Sequence, residues 1–327
     1  MAGEFSHEDI LPDVALGDVK LPRQQAGNSP QSAAVMLLAE FGIKPRSWFP
    51  SGALVALLRD FSTSDVSARA VVNRLAKRGV LEGTRRGRNT FYRVSEPAAA
   101  ALIRGGHAMA TFAREAESWD FRWTLVAVSG ALDGENQLRT LRGRLRWRGY
   151  VPLYDGLWIS PQKPSDLLIS VLEKASRSEI TLFRSEHVEL NRDATRNPLD
   201  VWDLPAVAAH YEAFLARWSP LLPRVRAGEV TGVESLRARI EAEDDYRRFV
   251  VLDPRLPLRL MPPGWPRQRA RDTFAALYGG LAMPALRHVQ EVVAQFTDEP
   301  PDLLVHSLED LAEGALLDQD EQVRPRA

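Results

Sequence analysis

The chain contains no cysteine. Disulfides and thiolate metal sites are therefore excluded, and the composition suits a reducing cytoplasm. Long apolar runs are also missing. None approaches the roughly 20 residues that span a bilayer, and the N-terminus lacks the basic-then-apolar pattern of a signal peptide. The six histidines, His7, His107, His187, His210, His288 and His306, include no pair at i,i+3 or i,i+4. No helical metal-ligand pair is available, and neither a metal nor a cofactor is expected. No Ser/His/Asp arrangement and no glycine-rich phosphate loop stands out. Net charge is nearly absent as well, at −1 over 327 residues. An apolar fraction of 45% nevertheless supplies ample cores, and the length predicts two or three domains.

The charge that is present is unevenly placed. From Lys44 to Arg93 the sequence carries eleven Lys and Arg against three acids, a local charge of +8. An excess of this size within a near-neutral chain is the electrostatic footprint of a DNA-contacting module. The pattern of the same window agrees. A helix over Gln31–Phe41 places Ala34, Leu37, Leu38 and Phe41 on one face, and Ser51 is read as the N-cap of a second helix burying Leu54, Leu57 and Leu58. Ser64 caps a third helix, with Asp65 at its positive end and Ala68, Val71, Val72 and Leu75 as the buried stripe. Gly79 ends it. Val80-Leu81 reads as a short strand, Gly83–Asn89 as a tight basic loop, and Thr90–Val94 as the returning strand. Helix, helix and two-stranded wing is the order of a winged helix-turn-helix.

Within that unit Ser67, Arg69, Asn73, Arg74, Lys77, Arg78, Arg85, Arg86 and Arg88 are the DNA-binding candidates. Arginine pairs with guanine and asparagine with adenine, so Arg69 and Asn73 are assigned to base edges. Arg74, Lys77 and Arg78 are assigned to phosphates. In the wing, Arg86 and Arg88 either enter an adjacent minor groove or grip the backbone. The competing reading of all these charges is a solvated helix face.

A helix starting at Ser95-Glu96-Pro97 is predicted to run to about Ser118 as a connector. Phe121–Leu190 then reads strand, helix, strand, strand, helix, strand, with an Asp155-Gly156 hairpin turn. This is the order of a ferredoxin-like split βαβ unit. From Asn197 the pattern is helical, with Val207, Tyr211, Phe214, Leu215 and Trp218 on one face and a proline-studded corner over Asp253–Pro266. The last thirty residues hold nine acids and two bases. The fold class is therefore α+β and multidomain. The predicted divisions are a disordered arm at 1–30, a winged helix-turn-helix at 31–95, a connecting helix at 96–120, a ferredoxin-like middle domain at 121–192, a helical C-terminal domain at 197–297 and an acidic tail at 298–327.

Three segments resemble the PaaX family of phenylacetic acid degradation repressors. The first is Ser64–Arg69 with Asn73-Arg74-Leu75, Arg85–Arg88 and Tyr92. The second is Arg144–Tyr150 with Gly156–Pro161. The third, the most specific, is Tyr246-Arg247-Arg248 with Asp253–Pro257 and Leu260–Pro266. The resemblance spans about 31 to 290 and departs at Arg267, where glycine is expected. It implies a cytoplasmic homodimeric transcriptional repressor on a palindromic double-stranded DNA operator, released by an aryl-coenzyme A thioester such as phenylacetyl-coenzyme A. On that reading Tyr246, Arg247, Arg248 and Trp265 line an effector pocket, with aromatic walls for the aryl group and guanidiniums for phosphates. The alternative for these four is a packed corner in which Asp253 takes an arginine. The middle domain also resembles the fold of Cas2 nucleases, so a metal-dependent nuclease is weighed as an alternative. That chemistry requires an acid at the end of the first strand, whereas the strand here ends Val128-Ser129-Gly130 and Asp133 follows in the loop. A regulator of the same architecture with a different ligand, or none, is the remaining alternative. The run Arg139, Arg142, Arg144, Arg146 and Arg148 is either a solvated face or a secondary phosphate contact, and Trp147 and Trp158 are assigned to the core.

Overall fold

The structure is a computed structural model and describes residues 29–43, 46–114, 119–129, 141–143, 145, 149–174, 179–186, 188, 199, 202–314 and 316. The expectations for the N-terminal arm, for Asp133, Trp147, Arg139, Arg144, Arg146 and Arg148, and for the tail beyond Leu316 lie outside these residues. Contacts divide the chain into two compact units. One comprises the chain up to Phe112 together with Phe214–Val250 and the residues from Arg269 onward, and the other comprises Ala113–Ala213 with Val251–Gln268.

The first unit begins with helix α1, Pro30–Gly42. Ser29 caps it by accepting from the Ser32 amide at 3.1 Å, and Pro30 needs no amide donor in a first turn. Strand β1, Phe49–Pro50, pairs with Tyr92 and Phe91 and leads directly into helix α2, Ser51–Arg59. The expected Ser51 cap is thereby corrected. Pro50 holds the cap position without a side-chain bond, because the strand carries the chain in extended form up to that residue. Helix α3, Asp65–Lys77, follows its prediction. Ser64 Oγ accepts from the Ser67 amide at 3.3 Å, Ala68, Val71, Val72 and Leu75 are buried, and Gly79 turns the chain at φ +72°. Strands β2, Leu81–Arg86, and β3, Asn89–Val94, form a hairpin in register from Leu81 opposite Val94 to Arg86 opposite Asn89. The expected long loop is therefore strand up to Arg86. Only Gly87 and Arg88 turn, with positive φ at Gly87, the hairpin geometry that favours glycine in first place. The sheet order is β1-β3-β2. Helix α4, Glu96–Thr111, ends before the predicted Ser118, since Phe112 is extended and Ala113 has φ +56°.

In the second unit, strand β4, Trp123–Ser129, β5, Val151–Tyr154, and β6, Leu157–Ser160, precede helix α5, Asp166–Lys174, and strand β7, Glu179–Ser185. The sheet is antiparallel with order β5-β6-β4-β7, the predicted split βαβ arrangement. Period-two alternation along β4 serves both faces. Val126 and Val128 pack with Leu141, Leu145, Tyr150, Trp158, Leu168 and Leu172. Trp123 and Leu125 face Trp202, Leu204, Leu256 and Met261. Gly156 is required in the β5–β6 turn, because at φ +77° a Cβ would lie 2.7 Å from the Val128 carbonyl oxygen. The proline corner covers the second face of the sheet through Leu256 and Met261. It is tied by Arg267, whose Nε and second guanidinium nitrogen bond the two Asp253 oxygens at 2.9 and 2.7 Å. The departure at Arg267 thus supplies the arginine that Asp253 takes. Helix α6, Leu204–Trp218, starts in this unit and ends in the first.

Helices α7, Leu222–Arg226, α8, Gly232–Arg247, α9, Phe249–Leu252, α10, Arg267–Gly280, and α11, Ala282–Ala294, follow. Those of the first unit pack against the N-terminal helices. They share a core with α1 and α2. Phe296 lies so close that a Cβ on Gly52 would be 2.5 Å from its ring, and His288 Nε2 meets Asp60 at 2.8 Å. The first part of the acidic tail packs on the same unit. The Leu304 amide bonds the Phe41 carbonyl at 3.2 Å, and helix α12, Leu308–Ala312, carries a Ser307/Asp310 capping box. The buried Leu311 of α12 packs on Gly106 of α4.

Candidate nucleic-acid interface

All nine residues assigned to DNA are exposed. Helix α3 faces the core with one stripe and presents Val66, Ala70, Asn73 and Lys77 on the opposite one, with Arg69 and Arg74 to either side. Among the described residues no acid pairs with Arg69, Arg74, Lys77, Arg85, Arg86 or Arg88. Arg85 Nε donates to the Gly87 carbonyl at 3.4 Å, which stiffens the hairpin tip. The Arg86 guanidinium lies over the Phe91 and Trp48 rings at 5.3 and 5.9 Å. Arg78 donates to Gln31 at 3.3 Å. The Ser67 hydroxyl is bound to Ser64 at 3.0 Å, and Asn73 Oδ1 accepts from the Tyr92 hydroxyl at 3.5 Å, the long limit of such a bond. A cleft of about 340 Å³ runs beside α3, lined by Ser51, Gly52, Arg69, Asn73, Thr90 and Tyr92.

Among the described residues of the basic window, Arg46, Arg59 and Arg93 are paired with acids. Arg46 and Arg93 both reach Glu82 at 2.9 Å, and Arg59 meets Asp65 at 3.4 Å. Arg93 also lies 4.4 Å over Trp48. Burial pushes the Glu82 carboxyl up, but the Arg93 hydrogen bond and the charges of Arg46 and Arg93 outweigh it and hold the pKa below the usual glutamate value. The local excess thus has two layers. A paired foundation fixes the hairpin, and an unpaired surface stands above it. Unpaired, exposed guanidiniums beside an amide and a turn tip can neutralise phosphates and reach base edges.

The four residues assigned to an effector have other partners. Tyr246 is fully buried, stacked on Phe274 at 4.1 Å and 7° and surrounded by Phe112, Phe214 and Phe249. Arg247 is buried and bonded to Glu243, and Arg248 reaches Asp244 at 3.0 Å. Trp265 lies in the second unit, half-buried, with its ring edge-on to Tyr211 at 6.1 Å. The aromatic faces and guanidiniums proposed for a ligand are thus engaged within the protein. Trp158 is in the core as expected, and Arg142 approaches Asp155 at 3.6 Å. Strand β4 ends without an acid, so the nuclease alternative gains nothing from the residues described.

One cluster escaped the sequence reading. Arg239, fully buried, bonds Glu40 at 2.7 Å and the His306 carbonyl at 3.2 Å, and also bonds the Tyr278 carbonyl. Tyr278 donates its hydroxyl to Glu40 at 2.7 Å. Burial raises the Glu40 pKa, but Arg239 and these bonds outweigh it and hold the group below its usual value. Glu243 is pushed well above it by burial and by the neighbouring Glu40 charge. The available signal was a lone glutamate inside the apolar run of α1.

Comparison with known proteins follows the same three-part division. Family models match at residues 29–98 (PaaX-like protein), 116–196 (PaaX protein central Cas2-like domain) and 202–291 (PaaX-like protein C-terminal domain). The chain is 30% identical over 245 residues to the transcriptional repressor PaaX of Escherichia coli (strain K12), covering 73% of this chain and 76% of that protein. Among solved structures it resembles the uncharacterized protein Rv0674 from Mycobacterium tuberculosis, with a TM-score of 0.52 and 22% identity over 80% of this chain and 99% of that one. The last likeness concerns the fold alone.

Proposed function

The chain belongs to the PaaX family of transcriptional regulators, and on that footing we propose that it is a sequence-specific DNA-binding repressor. Residues 31–95 act as a winged helix-turn-helix. Helix α3 is the recognition helix, and the β2–β3 hairpin is the wing. The observation that carries this reading is the exposed, acid-free set Arg69, Arg74, Lys77, Arg85, Arg86 and Arg88 in a chain whose net charge is −1. Arg69 and Asn73 read base edges, Arg74, Lys77 and Arg78 hold phosphates, and Arg86 and Arg88 reach the flanking backbone or minor groove. The Ser67 hydroxyl, already turned toward Ser64, contributes to the helix start that faces the duplex.

The protein works as a homodimer, because a two-fold pair of recognition helices matches a palindromic operator with half-sites one or more turns apart. An aryl-coenzyme A thioester releases it by binding the DNA-free form more tightly. The pocket for that ligand is not assigned to Tyr246, Arg247 and Arg248, whose partners lie within the core. The family membership and the named repressor relative support regulation rather than catalysis.

Duplex selection from a random library with the full-length chain tests the reading. The expected result is a palindromic consensus, bound by the wild type and lost first in the Arg69→Ala variant. A library that returns no enriched duplex would overturn it.

A further inference from the structure

Val66 has no role in the reading above, yet it is the most exposed large apolar side chain among the described residues, at 77%. It sits in the first turn of α3, in line with Ala70, Asn73 and Lys77 at i+4, i+7 and i+11. An outward-facing valine gives the helix nothing, since a β-branched side chain lowers helix propensity and this one buries no surface. A protein partner would need an apolar patch of several hundred Å². One turn from Val66 stand Arg69 and Ala70, with Asn73 and Arg74 a further turn along, and a protein surface covering this face would bury two cations that have no acid partner among the described residues.

Resting on the reading of α3 as a recognition helix, we propose that Val66 is a specificity-determining residue that packs on the 5-methyl group of a thymine in the operator half-site. That methyl is the apolar group a major groove offers, and only A·T and T·A pairs present it, each in a distinct place. The charge arrangement fits this occupant. The isopropyl group meets the groove floor next to the base edge taken by Arg69, while Arg74 on the other side meets the phosphate-rich wall. Ala70, one turn on, is short enough to let the helix approach. Val66 and Asn73 are seven residues apart on the same face, a rise of about 10 Å, so the thymine and the adenine taken by Asn73 belong to different base pairs of one half-site.

The test uses the full-length chain on its selected duplex, with deoxyuridine replacing each thymine in turn. This removes one methyl group and leaves every hydrogen-bonding edge in place. For the wild type, one or two positions lose about four-fold in affinity, the ~0.8 kcal/mol of one buried methyl at ~1.4 kcal/mol per ten-fold. Val66→Ala loses a similar factor on the thymine duplex and no longer distinguishes thymine from uracil at those positions. Being exposed, the variant keeps the wild-type melting temperature. If Val66→Ala retains the full preference for thymine, or the wild type shows none at any position, the contact does not exist, while binding of the duplex leaves the recognition-helix reading standing. Failure of the wild type to bind any duplex removes that reading and this inference together.

Discussion

Arg69 and Arg239 lie in the same compact unit and are solvated in opposite ways. Arg69 stands exposed on α3, and among the described residues no acid pairs with it or with Arg74, Arg86 and Arg88. Arg239 is fully buried, and its nitrogens are taken up by Glu40 and two backbone carbonyls from elements far apart in sequence. One residue type therefore serves two purposes according to its solvent. A buried guanidinium is costly unless its charge is paired and its donors are largely met, and Arg239 so held joins α1, α8, α10 and the chain near His306. An exposed one costs little to leave unpaired and stays available to a polyanion. Glu82 marks the border, since it pairs with both Arg46 and Arg93.

The comparison predicts effects of different kind and size. The largest belongs to Arg239. Arg239→Ala leaves Glu40 buried beside Glu243 with its cation gone and lowers unfolding free energy by about 3–5 kcal/mol, read by urea denaturation. A loss below about 1 kcal/mol would mean that the cluster contributes little. Next is Leu311→Ala at the α12 contact, which costs about 2–3 kcal/mol of stability through lost burial and a cavity beside Gly106. A variant as stable as the wild type would show that this segment does not hold the unit together. Arg69→Ala reverses the pattern. Its stability stays within about 0.5 kcal/mol while specific duplex binding falls by about 1–3 kcal/mol. Arg86→Ala weakens all sequences about equally, so binding to selected and scrambled duplexes should fall together.

The smallest effect is a pH dependence at Glu82. Its folded pKa is lowered, so the ionised group adds stability at neutral pH that disappears as pH falls through that lowered value. Melting temperatures of the wild type and Glu82→Gln should therefore differ near pH 7 and converge in acid. Parallel curves would show that Glu82 does not anchor the hairpin.

Much of the basic face was legible because its determinants are local. Ser64 and Asp65 start α3, Gly79 ends it, and the i,i+3,i+4 stripe from Ala68 to Leu75 orients it. The tip at Gly87 and the turn at Gly156 were equally readable, each being a backbone conformation that favours glycine. The hairpin was read too short because Gly83–Arg86 has the composition of a loop, whereas cross-strand pairing with Thr90–Tyr92 carries it as strand. Ser51 misled because serine is a good cap wherever the preceding residue is not already in a strand.

The buried cluster was not legible for a different reason. Glu40 and Arg239 are 199 residues apart, and no periodicity in either helix names the other as partner. The acid count says nothing about how the segment around Leu303 and Leu311 docks, although Ser307-x-x-Asp310 is itself a helix-start signature and these leucines are its anchors. Aromatic-plus-arginine strings fit a ligand pocket and a packed core equally well until neighbours are known, and the neighbours of Tyr246 and Arg247 include Phe274 and Glu243.

The most direct test is the salt dependence of duplex binding by the full-length chain and by an Arg69/Arg74/Arg86→Ala variant. If these unpaired guanidiniums meet phosphates and groove edges, the wild type shows a steep linear fall of log K with log salt, and the triple variant binds more weakly with a slope shallower by about 1 for each phosphate contact removed. Equal affinity and equal slope for the two proteins would contradict the assignment of this face to DNA.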